Sequence, residues 1–333
     1  MARIALDAMG GDHAPHAPIA AALLAAVELG PDHTLQLVGQ QAVIREELAK
    51  QLAAAGPEAQ AAAARFEIID APDVILMTDK PSVAIRGKPN SSMGVGLKLQ
   101  AERKSDAFVS AGNTGAQMAA SVFVLRLHEG LQRPAICTVL PTAMQPVVLL
   151  DAGANVDCSP QELVNFAQLG HVYAKDILGR ENPAIGLLSV GEEAEKGNAA
   201  VKEAHQLLLK SGLNFVGNVE GRDVPIGACD RGPIDVVVCD GFTGNVLLKF
   251  YESMPKLLGG LMLKVGVTKE TLGQALGALD YAKYGGAPLL GVKGVSIICH
   301  GKSSPEAIKN GIKAGLRAFE SGMSGHIGER VHA

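Results

Sequence analysis

The sequence predicts an α/β protein built on open parallel sheet, and three observations carry that prediction. Short aliphatic or β-branched runs recur along the 333 residues, each breaks into a polar turn usually containing glycine, and each turn leads into a stretch with helical spacing. Val236-Val237-Val238-Cys239 followed by Asp240-Gly241-Phe242-Thr243-Gly244-Asn245 is the clearest instance. In such sheets ligands bind at the carboxyl ends of strands, where backbone N–H groups and helix N-termini converge, so these turns are expected to form a rim that holds a small anion.

In chain order, Ile4–Leu6 reads as a strand, 7–15 as a loop containing Met9-Gly10-Gly11-Asp12-His13, and Ala17–Leu29 as an Ala/Leu helix. Strands at Leu35–Val38 and Phe66–Ile69 flank a helix at Gln40–Ala54 that carries Val43, Leu48 and Leu52. Asp70–Met93, with Pro72, Pro81, Pro89 and the basic Lys80, Arg86 and Lys88, is expected to be irregular, as a binding lid or as a solvated surface excursion. A helix at Gly94–Lys104 and a strand at Ala107–Val109 lead to Ser110-Ala111-Gly112-Asn113-Thr114-Gly115, with Thr114 the expected cap of an apolar helix at Ala116–Leu127. Strands follow at Ile136–Leu140, Val147–Leu150, Ile185–Val190 and Phe215–Val219, with a helix at Pro160–Ile177 and another ending near Lys210.

From Asn245 a helix places Leu247, Phe250, Met254, Leu258, Leu261 and Val265 at helical spacing, and Pro255 is expected to kink or break it. A second helix at Thr268–Lys283 would complete a hairpin over 244–284, projecting from a single α/β domain that spans 1–333. Val295–Cys299 is the last strand, His300-Gly301-Lys302-Ser303-Ser304 its loop, and Pro305–Ser321 the closing helix.

Composition narrows the function. A formal charge of −4, 4% aromatic residues and no Trp leave neither a basic field nor stacking platforms for nucleic acid. The 39 glycines are aperiodic, so they mark tight turns and close backbone approaches. Five cysteines form no CxxC pair, which argues against a zinc site or disulfide framework. The opening Met1-Ala2-Arg3-Ile4 has no signal-peptide character and no window reaches a spanning length, so a cytoplasmic chain is expected.

Familiar signatures fail on spacing. Gly94-Val95-Gly96 lacks a third glycine, Gly301-Lys302-Ser303 lacks the first glycine of a phosphate-binding loop, and neither GxSxG nor HExxH occurs. What remains is a rim carrying Asp7, His13, Asn113, Asp151, Asn155, Lys196, Asp240, Asn245 and His300. Aspartates at strand ends suit a divalent metal, while small polar loops before helices suit phosphate or a phosphate ester. Asp240 and Asn245 also suit plain helix caps, and Lys196 among three glutamates suits a solvated surface charge.

Asp7 to Pro15 (DAMGGDHAP), Ser110 to Ala116, Asp151 to Asp157 (DAGANVD), Gly191-Glu192-Glu193 with Lys196-Gly197, Asp240 to Val246 and Gly285 to Gly291 together resemble the PlsX family of phosphate acyltransferases, in that family's order over nearly the whole chain. The resemblance implies transfer of a long-chain acyl group from acyl carrier protein to inorganic phosphate, on a dimeric three-layer α/β sandwich of the isocitrate/isopropylmalate-dehydrogenase-like type. It further implies an acyl phosphate that feeds a membrane glycerol-3-phosphate acyltransferase in phospholipid synthesis, and no cofactor. Lys196 is then the charge partner of phosphate or oxyanion, Asp240 the proton acceptor or positioning carboxylate, and Asn245 a donor. Asp7, Gly10, Gly11, His13, Gly112, Asn113, Thr114, Gly115, Asp151, Asn155, Gly244 and His300 would bind substrate. Leu257, Leu258, Leu261, Met262 and Val265, beside Lys256 and Lys264, would meet the membrane interface as a peripheral contact or else a partner subunit. A metal-dependent dehydrogenase, a phosphotransacetylase and a non-catalytic membrane-surface scaffold are the competing readings.

Overall fold

The computed structural model describes residues 1–277 and 285–332, and the chain divides into two compact units, Met1–Glu129 with Tyr284–Gly328 and Gly130–Lys283 with Glu329–Ala333. Each is mixed α/β with a largely parallel sheet. In the first unit the strands lie in the order Phe66–Asp70, His33–Gly39, Ala2–Asp7, Ala107–Ser110, Ser296–Ile298 and Ala287–Leu290. All neighbours are parallel except the last, which runs antiparallel to Ser296–Ile298. Ile4, Leu6, Phe108 and Val109 are fully buried, as a parallel strand covered on both faces requires. Helices His16–Glu28 and Pro305–Glu320 are tied by Glu28, whose carboxylate lies 2.6 Å from both Lys309 and Lys313 and is held below the usual carboxylate range by those hydrogen bonds.

In the second unit the order is Thr138–Leu140, Val147–Leu150, Val236–Val238, Ile185–Leu188 and Phe215–Val219, with only the first strand antiparallel. The triple valine alternates between two covered faces. Val236 meets helix Pro160–Leu178 at Gly170, where a β-carbon would lie 2.5 Å from its Cγ1. Val237 faces the opposite cluster of Leu140, Val147, Leu149, Val219 and Cys239, against which Leu247, Leu248 and Tyr251 of helix Gly241–Lys264 pack.

Several expectations shift. The stretch expected to be irregular holds a short helix, Pro81–Gly87, and the start of helix Ser92–Ala101; proline suits a first turn, and Ser91 caps the second helix by accepting from the N–H of Gly94 at 3.2 Å. That helix stops short of Lys104 because Arg103 turns left-handed (φ 57) and the N–H of Lys104 bonds back to the carbonyl of Leu99 at 2.8 Å. Asn113, not Thr114, caps helix Thr114–Leu125, its Oδ1 accepting from the N–H of Ala116 at 3.0 Å. The strand expected at Ile136–Leu140 is two, Ala135–Ile136 and Thr138–Leu140, and the N–H of Ile136 is drawn to Asp151 at 3.0 Å.

Helix Gly241–Lys264 starts ahead of Asn245 and continues through Pro255, one lost hydrogen bond being insufficient to end a 24-residue ladder. The second hairpin helix is Lys269–Leu276; the remainder expected, 278–283, lies outside the described residues.

The start of helix Gly241–Lys264 is jammed onto the loop that follows Val147–Leu150. A β-carbon on Gly244 would collide with the carbonyl oxygen of Asp151, and one on Gly241 would sit 2.6 Å from the carbonyl oxygen of Asn155. Both obstacles are backbone, so Gly244→Ala is expected to destabilise the protein by about 3 kcal/mol, the upper range for forced overpacking, measured by urea denaturation against a Gly260→Ala control, whose β-carbon meets nothing within 4 Å.

Candidate active site

Asp151 is fully buried and organises the second unit's rim. Its Oδ1 accepts from the N–H groups of Ile136 (3.0 Å), Gly153 (3.2 Å) and Ala154 (3.0 Å), and its Oδ2 from the N–H (2.7 Å) and Nδ2 (2.9 Å) of Asn155. Burial pushes this carboxyl above its ordinary value while the hydrogen bonds pull it down. Every partner is a donor, an arrangement suited to the carboxylate. Asn155 spends its remaining donor on the carbonyl of Pro134 at 2.8 Å, and its own carbonyl receives the N–H of Gly241 at 2.7 Å. Asp151 and Asn155 therefore shape the loop and hold the next helix against it.

Beside that joint opens a cleft of about 500 Å³ lined by Val156, Asp157, Cys158, Leu163, Asn198, Ala200, Val201, Asp240, Phe242 and Thr243. Its walls are the chain segments that leave three adjacent parallel strands, Val147–Leu150, Val236–Val238 and Ile185–Leu188, whose register puts Val238 beside both Leu150 and Leu187. Each segment starts a helix whose cap is a side chain. Ser159 and Glu162 form a reciprocal capping box, Asn198 Oδ1 accepts from the N–H of Val201 at 2.9 Å, and Asp240 Oδ1 accepts from the N–H of Thr243 at 2.8 Å. Three helix N-termini thus face one cleft, and their aligned peptide dipoles favour a bound anion there.

Asp240 alone of the sequence-expected residues lines this cleft, with both carboxylate oxygens engaged by Thr243, since Thr243 Oγ1 donates to Oδ2 at 2.9 Å. Asn245 is exposed on the next turn beside Gly153. Lys196 is exposed just ahead of Asn198 and forms no ion pair among the described residues. Its loop is anchored from below. Asn218, fully buried, donates from Nδ2 to the carbonyl of Glu193 at 2.7 Å and meets His205 Nδ1 through Oδ1 at 2.9 Å. Sequence reasoning passed over Asn198, Cys158 and Thr243; Lys196-Gly197-Asn198 as a cap signal was the available clue. The Cys158 thiol is pushed up to about 12, by burial first and then by the Asp151 charge, so it is no nucleophile near neutral pH.

In the first unit the same device recurs at Asp7, whose Oδ1 accepts from the N–H of Met9 at 3.1 Å and Oδ2 from the hydroxyl of Ser110 at 2.7 Å, with burial again raising the carboxyl. Gly10 packs against that carboxylate and the Gly112 nitrogen, and Gly11 against the carbonyl of Gly301. In the anion nest expected at Gly112–Gly115, Ser110 takes the Gly112 N–H and Pro81 sits over Gly115, while Asn113 takes the N–H of Ala116 just beyond it. Asn113 Nδ2 reaches the carbonyls of Met77 and Asp79, each at 3.1 Å. His13 and His300 are exposed, and His300 Nδ1 accepts from the N–H of Lys302 at 3.1 Å. Among the described residues no cluster of three His, Cys, Asp or Glu is arranged to hold a metal.

Comparison with known proteins gives a consistent result. Residues 2–325 match the family described as fatty acid synthesis protein. The phosphate acyltransferase of Desulforamulus reducens is 48% identical, covering 99% of this chain and 98% of its own, and that of Pelotomaculum thermopropionicum is 45% identical over 96% and 92%. Among solved structures, the EutD phosphotransacetylase from Staphylococcus aureus superposes with a TM-score of 0.65 over 96% of this chain and 94% of its own at 16% identity, a likeness of fold.

Replacing Asp151 by Asn turns an acceptor into a donor facing donors. Because each buried unsatisfied group costs about 1–3 kcal/mol, Asp151→Asn is expected to lower stability by about 3 kcal/mol or more, read as an earlier urea midpoint, whereas the exposed Asp157→Asn leaves the midpoint in place.

Proposed function

This chain belongs to the fatty acid synthesis protein family that includes the phosphate acyltransferases, and we infer that it forms long-chain acyl phosphate from acyl-[acyl carrier protein] and inorganic phosphate, the first step toward phosphatidic acid. The observation that carries the reading to particular residues is the cleft onto which three capped helix N-termini open. Phosphate sits against those N–H groups, and one of its oxygens attacks the thioester carbonyl. A C–O bond forms, the C–S bond breaks, and the thiolate leaves with the electron pair. The proton of the attacking phosphate passes through Asp240 to the departing sulfur, so that acyl phosphate and free thiol account for every atom. Lys196 offsets the charge that develops on phosphate and carbonyl oxygen, and Asn245 donates a hydrogen bond to the substrate. Preorganised donors and a fixed cation are the main source of rate in such a transfer, with no covalent enzyme intermediate required. The raised Cys158 thiol agrees with that.

The finer assignments rest on the family resemblance. Asp7, Gly10, Gly11, His13, Gly112, Asn113, Thr114, Gly115 and His300 of the first unit, with Asp151, Asn155 and Gly244 of the second, serve substrate binding, chiefly by setting loop shape. The chain has the isocitrate/isopropylmalate-dehydrogenase-like sandwich fold and pairs as a homodimer, with the helical hairpin that starts at Gly244 projecting. No described helix is long and apolar enough to cross a membrane. The hairpin instead touches the bilayer from the cytoplasmic side and hands product to the downstream glycerol-3-phosphate acyltransferase. Leu257, Leu261 and Val265 are 56%, 53% and 79% exposed, beside exposed Lys256 and Lys264, whereas Leu258 and Met262 are half-buried.

Two outcomes test this reading. Lys196→Ala should lower turnover of acyl carrier protein thioester by ~10²-fold or more, several kcal/mol of lost charge stabilisation, with the unfolding midpoint unchanged because the side chain is exposed; unaltered turnover removes Lys196 from the chemistry. Leu257→Glu with Leu261→Glu should abolish co-sedimentation with anionic liposomes and leave soluble turnover intact, since desolvating carboxylates in lipid outweighs the apolar gain of about 1.5–3 kcal/mol per leucine.

A further inference from the structure

Helix Gly241–Lys264 carries two apolar faces. One is spent on the core, where Leu247, Leu248 and Tyr251 pack. On the other, Phe242, Val246 and Phe250 are 63%, 55% and 57% exposed. At about 100° per residue these three fall within roughly 80° of one another on the helix surface, and at 1.5 Å per residue they cover about 12 Å of its length. Lys249 and Glu252, paired at 2.7 Å, lie to one side of this stripe. Phe242 belongs at once to the stripe and to the cleft wall.

The cleft itself does not suit a long hydrocarbon. Asp157, Asn198, Asp240 and Thr243 give it polar walls, and of its larger apolar residues Leu163 is buried in the core while Val156 and Phe242 are more than half exposed at 64% and 63%. A long acyl group whose carboxyl carbon reacts in the cleft must therefore leave it, and every methylene left in water weakens binding. We propose, resting on the acyl-transfer reading above, that Val246 and Phe250 continue the wall begun by Phe242 as the track on which the acyl chain lies, so that this flank sets the preference for long-chain substrate. Continuity with the cleft through Phe242 favours a hydrocarbon as its occupant over a second copy of the chain.

The test compares palmitoyl- and butyryl-[acyl carrier protein] as substrates in lipid-free buffer, because a butyryl chain is too short to reach beyond Phe242. For the Val246→Ser/Phe250→Ser variant the ratio of kcat/KM for palmitoyl over butyryl substrate is expected to fall roughly tenfold or more, the loss expected when about two methylenes lose their apolar contact. In Val246→Leu/Phe250→Leu, which keeps the stripe apolar, the ratio should stay near its starting value. An unchanged ratio in the serine variant overturns the track, as does an equal fall for both substrates. A shift from dimer to monomer in sedimentation equilibrium with the ratio unaltered assigns the stripe to a second copy and likewise overturns it. Failure of the unsubstituted enzyme to make acyl phosphate from either thioester would sink the acyl-transfer reading instead.

Discussion

A carboxylate with no access to water, Asp151, holds the second unit's rim together. Five donors from Ile136, Gly153, Ala154 and Asn155 converge on its two oxygens, and the loop they define offers the surface onto which helix Gly241–Lys264 docks. Without that fixed loop the helix start would have no partner for the Gly241 N–H, and one wall of the cleft would be lost. The cost of desolvating the charge is offset only in part by the hydrogen bonds, although these are stronger inside a low-dielectric interior than they would be in water. Asp7 repeats the device in the first unit with Ser110, Met9 and Gly10, so both sheets end in loops stiffened by a buried carboxylate at a strand terminus.

Much of this was legible in the residues. Parallel strands buried on both faces write themselves as uninterrupted aliphatic runs, and Val147–Leu150, Ile185–Leu188 and Val236–Val238 appear close to where the sequence puts them. Helix ends were less legible because they depend on partners distant in the chain. Asn113 rather than Thr114 became the cap, and Arg103 ended a helix by adopting a conformation that sequence pattern does not announce for arginine. The same limit applies to the rim. Conspicuous residues such as Asp151 and Asn155 turned inward to hold backbone, while the unremarked Asn198 and Thr243 came to line the cleft. Local spacing reports which residues stand at a strand exit, but only the fold decides which of them face the solvent side.

Three neighbouring strands ending in register make the cleft a product of topology as much as of side chains. Val236–Val238 enters between two strands that come earlier in the chain, so its loop and helix are inserted between theirs. Peptide dipoles at the helix starts contribute there beside the Asp157 and Asp240 carboxylates, and they need no ionisable residue and do not titrate. Charged groups such as Lys196 are then added on the surface, where they are free of the packing demands that govern the interior.

The tight seat of Gly241 and Gly244 has a consequence for descent. Any relative that keeps this loop-and-helix joint must keep both glycines, even one that has abandoned catalysis altogether, because the obstacle to a side chain is main chain rather than substrate. Lys196, which packs against no core and caps no helix, is under no such architectural restraint. The two glycines therefore mark the joint itself rather than the chemistry beside it.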